Sequence, residues 1–266
     1  MALLWRLDRP DAPGPSYLFG TMHVRDERAF TRLAPVHAAL DSCALFATEF
    51  DLGELTDTAD QPALYLPDGG RISQLLPPHR YTRLCRILQK AFAFPLPHYD
   101  RLRPMIVVNL ISERLLARER LVSLDAYLWE RAKAGGLPTT GLESYAFQQR
   151  LLTELPVAQQ LRDLLALGRH PGKYKRHTQR LADYYAAGDL TGLYRATRRG
   201  AGGMRRVLIF ARNARMAERF DELAREQALF AAVGAAHLPG GKGMLRLLKH
   251  RGWRVRAVAE DLPGLG

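Results

Sequence analysis

Apolar residues in the first fifty positions follow the order strand, helix, strand. Tyr17–Gly20 and Ala44–Phe50 are short, apolar and rich in β-favouring residues, as buried strands are. Between them, side chains recur at the spacing of one helix face, at Leu33, Val36, His37 and Leu40. We therefore predict a β-α-β unit at the start of the chain.

The same order recurs at the other end of the chain. Leu229–Gly234 predicts a strand, Met244–His250 a helix, and Trp253–Ala259 a further strand. Such units build parallel sheet with right-handed crossovers, and ligands bind at the edge where the strands have their carboxyl ends. We expect the functional residues in the loops that follow these strands.

The intervening sequence is mostly helical. Its apolar residues recur at i, i+3 and i+4 with few helix breakers, which is typical of amphipathic helices. The predicted helices are Leu75–Phe92, Arg103–Arg118, Leu124–Lys133, Tyr145–Leu167, Lys173–Ala187, Leu190–Thr197 and Arg205–Leu229. One short segment, Gly136–Glu143, has β-favouring residues and predicts a further strand of the same sheet.

These elements predict the α/β class. The central sheet is mixed or mostly parallel and is built from the N- and C-terminal β-α-β units, with a large helical insertion in the middle. The sheet-forming units occupy about residues 1–52 and 229–260, and the insertion about 71–228. No long linker separates them, so we expect residues 1–266 to form a single cooperative domain.

Composition and charge limit the classes of partner. The chain has 266 residues, of which 47% are apolar and 25% charged, an ordinary globular composition. A formal net charge of +12 would suit an anionic partner. The excess arginine is spread over helical segments, and the cluster from Arg195 to Arg206 has no interleaved aromatic residues. We therefore favour a solvated surface over a nucleic-acid-binding one.

The sequence has no transmembrane segment, because its apolar runs fall well short of the roughly 18 residues that a spanning helix needs. The first residues lack the charged start and long apolar run of a signal peptide, which predicts a cytoplasmic protein for the chain as given. An extracytoplasmic location follows if a leader was trimmed. The sequence leaves open whether the chain forms a homodimer.

Two Gly-x-x-His tetrapeptides occupy matching places in the two β-α-β units. They are Gly20–His23 and Gly234–His237, each directly after a predicted strand and ahead of a predicted helix. Glycine lets the backbone turn sharply at the end of a strand, and histidine three residues later would project at the ligand-binding edge. We interpret the duplication as one shared site for His23 and His237.

Two carboxylates follow strands of the same edge. Glu49 ends Ala44–Phe50, and Glu143 ends the strand after residue 136. Glu143 is equally well explained as a residue at the start of the next helix, where an acid faces the positive end of the helix dipole. Imidazole and carboxylate together suit a divalent metal ion, here manganese, cobalt, zinc or iron, and an incomplete shell leaves a position for water.

Two further candidates lie near the last strand, and several familiar catalytic motifs are missing. Arg212 and Asn213 would supply a positive charge and an amide donor to a developing oxyanion, although such a pair is more often part of a helix surface. The sequence has no complete P-loop, no Gly-x-Ser-x-Gly and no His-Glu-x-x-His. Nucleotide hydrolysis, serine hydrolysis and zincin chemistry therefore receive little support.

Taken together, the spaced motifs resemble the TraB/GumN family, to which the TIKI proteases are related. The resemblance runs from about Leu4 to Val258. The segments that carry it are Tyr17–His23, Thr48-Glu49, Gly141–Ser144 with Gln148-Gln149, Tyr185–Asp189, Ala211–Asn213 and Val233–Leu238. Ser144 and Ala211 depart from the family pattern, which has threonine and often an acid at these places.

The resemblance implies an α/β fold similar to the erythromycin-esterase and ChaN-like group and a metal-dependent hydrolase site. It implies central roles for His23, Glu49 and His237, as metal ligands and catalytic residues. Glu143, Arg212 and Asn213 are then supporting catalytic candidates. Family members are associated with peptide cleavage and with shutting down peptide pheromone signals, so the implied partner is a peptide or protein substrate.

The leading hypothesis is a metal-dependent hydrolase, specifically a peptidase, in which the two motif histidines and a glutamate activate water. Glu49, if it is not a ligand, or else Glu143 would be the general base. The alternative is a non-catalytic protein that sequesters a peptide or signal at the same edge. A third interpretation is an anion or nucleic-acid binder that uses the arginines from Arg195 to Arg206.

Overall fold

The computed structural model describes residues 2–22, 25–31, 33–54, 61–116, 120–200 and 206–258, with only the backbone for 198–200 and 206–208. The chain divides into two compact units. The first, which we call the sheet unit, comprises Met1–Leu55, Glu119–Tyr145 and Leu181–Gly266. The second, the helical unit, comprises Thr56–Arg118 and Ala146–Arg180.

The sheet unit contains one sheet of six strands among the described residues. The strands are β1 (Leu4–Asp8), β2 (Ser16–Thr21), β3 (Leu45–Phe50), β4 (Thr139–Glu143), β5 (Leu229–Gly234) and β6 (Arg254–Ala257). Their order across the sheet is β4-β3-β5-β2-β1-β6. The first four in this order are parallel, whereas β1 is antiparallel to both of its neighbours. The predicted α/β class with a mixed sheet is confirmed.

The centre of the sheet is held by apolar and aromatic packing. Residues 229–233 of β5 are all buried, which explains why this strand is a continuous apolar run rather than an alternating one. The ring of Phe230 lies 6.4 Å from that of Phe19 on β2 and 6.0 Å from that of Phe46 on β3. These contacts link the three central strands through the ring of Phe230.

Helices of the sheet unit pack around these strands. They are α1 (Leu33–Asp41), α4 (Leu124–Ala134), α8 (Leu190–Gly200), α9 (Arg212–Glu226) and α10 (Met244–His250). Helix α4 contacts β3 and β4, and α9 contacts β4 and α10. A π-helical segment, Arg206–Ala211, leads directly into α9. The predicted helix Arg205–Leu229 was too long, because α9 ends at Glu226 and Leu229 is the first residue of β5.

Helices of the helical unit build their own core. They are α2 (Pro78–Phe92), α3 (Pro104–Leu116), most of α5 (Tyr145–Glu154), α6 (Val157–Arg169) and most of α7 (Pro171–Ala186). Leu88, Phe94 and Ile111 are fully buried in this core. The single helix predicted over Tyr145–Leu167 is two helices, because Pro156 has no N–H to donate to a preceding turn.

The helical insertion predicted over 71–228 differs from the helical unit. The segment 119–145, with α4 and β4, belongs to the sheet unit, as do α8 and α9. The reason is tertiary packing: helices with the same periodicity pack against the strands in one case and against each other in the other. The expectation of a single cooperative domain stays a prediction.

Within the described part of the chain, no helix is both long enough and apolar enough to cross a membrane.

Glycine is required at the middle residue of β4, where the backbone at the end of β3 approaches closely. A Cβ atom added at Gly141 would lie 2.6 Å from the amide nitrogen of Asp51 and 2.8 Å from the Cα atom of Phe50. Backbone atoms cannot move aside as a flexible side chain does. The residue therefore fixes how closely the ends of β3 and β4 approach.

We expect Gly141→Ala to lower the free energy of unfolding by roughly 1–3 kcal/mol, as overpacking of a filled site does. The matched control is Gly241→Ala, since an added Cβ at Gly241 meets no atom within 4 Å. Urea unfolding followed by circular dichroism measures both variants. Equal unfolding midpoints for the two would show that the close approach at Gly141 is not maintained in solution.

Candidate active site

Parallel strands bring the predicted site residues to one edge of the sheet. Thr21 at the end of β2 pairs with Gly234 at the end of β5, and Phe50 at the end of β3 pairs with Glu143 at the end of β4. The carboxyl ends of four strands thus meet at the same edge. Candidate side chains that follow these strands are therefore close together in space.

Arg212, the first residue of α9, joins the two carboxylates. Its Nε donates to Oε2 of Glu143 at 2.8 Å, and its Nη2 donates to Oε2 of Glu49 at 2.5 Å. The side chain of Glu143 is 0% exposed and that of Arg212 12%. Burial alone would lower the pKa of Arg212, but the two carboxylates raise it above its ordinary value. The guanidinium is a buried cation shared by two anions.

Glu49 is held in its ionised form. Its Oε1 accepts a hydrogen bond from the backbone N–H of Gly234 at 2.8 Å, and its side chain is 22% exposed. Burial would raise the pKa of Glu49, but the charges of Arg212 and His237 and the Gly234 amide together lower it to about 2. A carboxylate therefore faces the site at neutral pH.

The orientation of His237 is fixed by Asn213. His237 is buried in the 3₁₀ turn Ala235–His237 that follows β5, and its Nδ1 lies 2.6 Å from Oδ1 of Asn213. The amide group of Asn213 has only one orientation, because its Nδ2 donates to the carbonyl oxygen of Lys242 at 2.7 Å. Oδ1 is thus the acceptor, and the proton of a neutral His237 lies on Nδ1.

The other ring nitrogen of His237 then carries a lone pair. Its Nε2 lies 3.7 Å from Oε1 of Glu49. Burial lowers the pKa of His237 to about 4; the charge of Glu49 opposes this shift and that of Arg212 adds to it. A neutral imidazole and a carboxylate therefore face each other with two acceptor atoms. A cation bonded to both atoms at about 2.0–2.2 Å would span this distance, so these residues fit a metal ion.

His23, the third predicted ligand, lies outside the described residues. Among the residues that the structure describes, no group of three or more His, Cys, Asp or Glu side chains is arranged to hold a metal ion. The shared site of His23 and His237 therefore stays a prediction.

Of the six predicted site residues, the structure brings five together: Glu49, Glu143, Arg212, Asn213 and His237. Glu143 contacts Arg212 rather than serving only the start of the next helix. Asn213 orients His237 and holds the loop at Lys242, so its amide donor is already used. The Nη1 atom of Arg212 donates to no acceptor among the described residues, and it is the donor that this side chain retains for a ligand.

Two buried residues that contact the end of β2, Asp125 and Tyr185, were not predicted as site residues. Thr21 Oγ1 donates to Oδ1 of Asp125 at 2.5 Å, and the hydroxyl of Tyr185 donates to the carbonyl oxygen of Gly20 at 2.9 Å. Tyr185 belongs to one of the motifs that carry the family resemblance, which was the available signal. Asp125 gave none, since an acid in the first turn of a helix is ordinary.

The arginine cluster is described only in part. Arg195 is exposed, and the side chains of Arg198, Arg199, Arg205 and Arg206 lie outside the described residues. The preference for a solvated surface over nucleic-acid binding stays a prediction.

Comparison with known proteins adds a family match. The model of the TraB/PrgY/gumN family matches residues 3–257. Metalloprotease TIKI2 of Danio rerio is 27% identical over 98% of this chain and 62% of its own length. Metalloprotease TIKI1 of Homo sapiens is 26% identical over 98% of this chain and 63% of its own length. The chain thus spans about three fifths of the length of these relatives. No solved structure matches the chain.

We expect Arg212→Met to lower the free energy of unfolding by about 3–5 kcal/mol, because it leaves two carboxylates without their cation. Combining it with Glu143→Gln should recover part of the loss, since one of the two charges is then removed. Urea unfolding of the metal-free protein measures both.

The matched control is Arg219→Met on the same helix. Arg219 pairs with Glu222 at 2.9 Å, but both side chains are about half exposed, so the unfolding midpoint should stay nearly unchanged. Equal losses for the variants at 212 and 219 would contradict a central role for the Arg212 ion pairs.

Proposed function

Because the chain belongs to the TraB/PrgY/gumN family, we propose that it is a metal-dependent hydrolase that cleaves peptides. The observation that carries the proposal is the acceptor pair formed by His237 Nε2 and Glu49 Oε1, 3.7 Å apart. The relatives named metalloprotease support a peptide or protein as the substrate.

His23, Glu49 and His237 would hold a divalent ion, with manganese, cobalt, zinc and iron as the candidates. When bound, such an ion lowers the pKa of water and polarises a carbonyl group. The described ligands need no proton loss to bind it, because Glu49 is ionised and His237 is neutral with its proton on Nδ1. Asn213 keeps the imidazole in that tautomer, as supporting residues of metal-bound histidines do.

We assign the carboxylates of Glu49 and Glu143 to metal binding and to positioning, respectively, rather than to proton transfer. A general base works best when its pKa is near the operating pH, whereas the pKa of Glu49 is about 2. We therefore assign Glu49 to the metal rather than to proton transfer. Glu143 has no exposed side-chain surface and binds Arg212, so we assign it to holding that side chain.

Arg212 is our candidate for stabilising the oxyanion that forms when water attacks a peptide carbonyl. Its Nε and Nη2 atoms are held by the two carboxylates, which fixes the plane of the guanidinium. The Nη1 atom then has a fixed position without further ordering of the side chain. A donor held in advance in this way stabilises developing charge more than a mobile one.

We expect elemental analysis after exhaustive dialysis to find a near-stoichiometric divalent ion in the parent protein. The double variant His23→Ala/His237→Ala should lose the ion and the cleavage of a peptide library, because two of three ligands are removed. His250→Ala is the matched control, since His250 lies at the exposed end of α10 and contacts Arg246; it should keep both.

Two outcomes would contradict the proposal. The first is a parent protein that retains no ion and shows no thermal stabilisation when manganese, cobalt, zinc or iron is added back. The second is saturable peptide binding without cleavage that a chelator does not change, which would favour the sequestering alternative.

A further inference from the structure

A buried polar cluster lies at the end of β2, next to the residues of the proposed metal site. Thr21, Asp125 and Tyr185 are all buried. Thr21 donates its hydroxyl to the Asp125 carboxylate at 2.5 Å, and Tyr185 donates its hydroxyl to the carbonyl oxygen of Gly20 at 2.9 Å. The last two residues of the strand are therefore each held by a side chain from elsewhere in the sheet unit.

Strand pairing connects the cluster to Glu49. Thr21 is the register partner of Gly234, and the N–H of Gly234 donates to Glu49. A shift at Thr21 would thus displace its strand partner Gly234, which begins the second Gly-x-x-His motif and donates its N–H to Glu49.

In each of the two Gly-x-x-His motifs, one residue is hydrogen-bonded by a side chain from a helix. At the second motif, Asn213 on α9 offers an oxygen to His237 and is itself fixed by the carbonyl of Lys242. At the first, Asp125 on α4 offers an oxygen to Thr21, the second residue of that motif. A hydrogen bond to a carboxylate is stronger than one between neutral groups, so Asp125 suits the task of fixing a strand end.

We propose that Asp125 is a positioning residue of the metal site, which fixes the end of β2 through Thr21 and so holds Gly234, the strand partner whose N–H binds Glu49. The inference rests on the proposed function. Residues that orient metal ligands change metal affinity by about 10–100-fold when they are replaced. A residue that served stability alone would change the unfolding temperature and leave the affinity as it was.

The test measures the dissociation constants of zinc and of manganese, each alone, by competition with a chelator. Thr21→Val removes the hydroxyl and keeps the shape of the side chain, and it should weaken binding of the preferred ion about 10–100-fold. Thr21→Ser restores the hydroxyl and should bring the affinity back to within about threefold of the parent value. Asp125→Asn, as a second variant, should weaken binding in the same direction as Thr21→Val.

A matched control comes from the helical unit. Ser73 donates its hydroxyl to the buried carboxylate of Asp100 at 2.6 Å, the same kind of bond as Thr21 makes with Asp125. Ser73→Ala should lower the unfolding temperature of the metal-free protein while leaving both dissociation constants unchanged.

The outcomes separate the two proposals. A parent protein that binds an ion and a Thr21→Val variant that binds it within twofold as tightly would overturn the positioning role alone. The same holds if Ser73→Ala weakens binding as much as Thr21→Val. A parent protein that binds neither zinc nor manganese, nor cobalt or iron in the same assay, would overturn the proposed function and the positioning role with it.

Discussion

The double ion pair of Arg212 is the interaction on which the rest of the site depends. The parallel register of β3 and β4 places Phe50 opposite Glu143, so the sheet itself forces two carboxylates toward one edge. Without a cation the two carboxylates would repel each other, and the fully buried Glu143 would lose its hydration at a cost of several kcal/mol. Arg212 compensates both, because its planar guanidinium donates in two directions at once. The start of α9 therefore has to lie at the ends of these two strands.

This charge arrangement also determines the protonation of the site. Arg212 keeps Glu49 ionised, and its positive charge adds to burial in keeping His237 neutral. Asn213, the residue next to Arg212, selects the tautomer of His237. Arg212 and Asn213 are consecutive residues at the start of α9. One keeps Glu49 an acceptor and the other keeps Nε2 of His237 an acceptor, and these two acceptor atoms lie 3.7 Å apart. The pair therefore presents an ionised carboxylate oxygen and a neutral imidazole nitrogen at the same edge of the sheet.

The sequence predicts much of the fold, because strands and helices follow from local periodicity. The four parallel strands and the glycines that end two of them were predicted, and so was the edge that collects Glu49, Glu143 and His237. Strand β1 was not, since its five residues are paired only through a distant partner, β6, and a hairpin to β2. Local periodicity does not indicate which strands pair with each other.

Local sequence patterns also do not reveal the contacts within the site, because these contacts join residues that are far apart in the chain. Arg212 contacts Glu49 over a separation of 163 residues and Glu143 over 69, so neither its partners nor its role as a shared cation can be read from its own segment. Asp125 lies 104 residues from Thr21, and its sequence context is that of any helix start. Sequence patterns located the residues that follow strands and named Arg212 and Asn213 as candidates, whereas the contacts that these helix residues make, and Asp125, became visible only in three dimensions.

The two motif glycines explain why the Gly-x-x-His motifs occur together. A Cβ atom at Gly20 would lie 2.7 Å from Cδ1 of Leu238 and 3.1 Å from the Cα atom of Ala235, so the first glycine makes room for the turn that carries His237. A Cβ atom at Gly234 would lie 3.1 Å from Oε1 of Glu49, so the second makes room for the carboxylate. The first motif thus accommodates the second, and the second accommodates Glu49. These close approaches leave little room for a side chain at either glycine, and they link the end of β2 to the turn that carries His237 and that turn to Glu49.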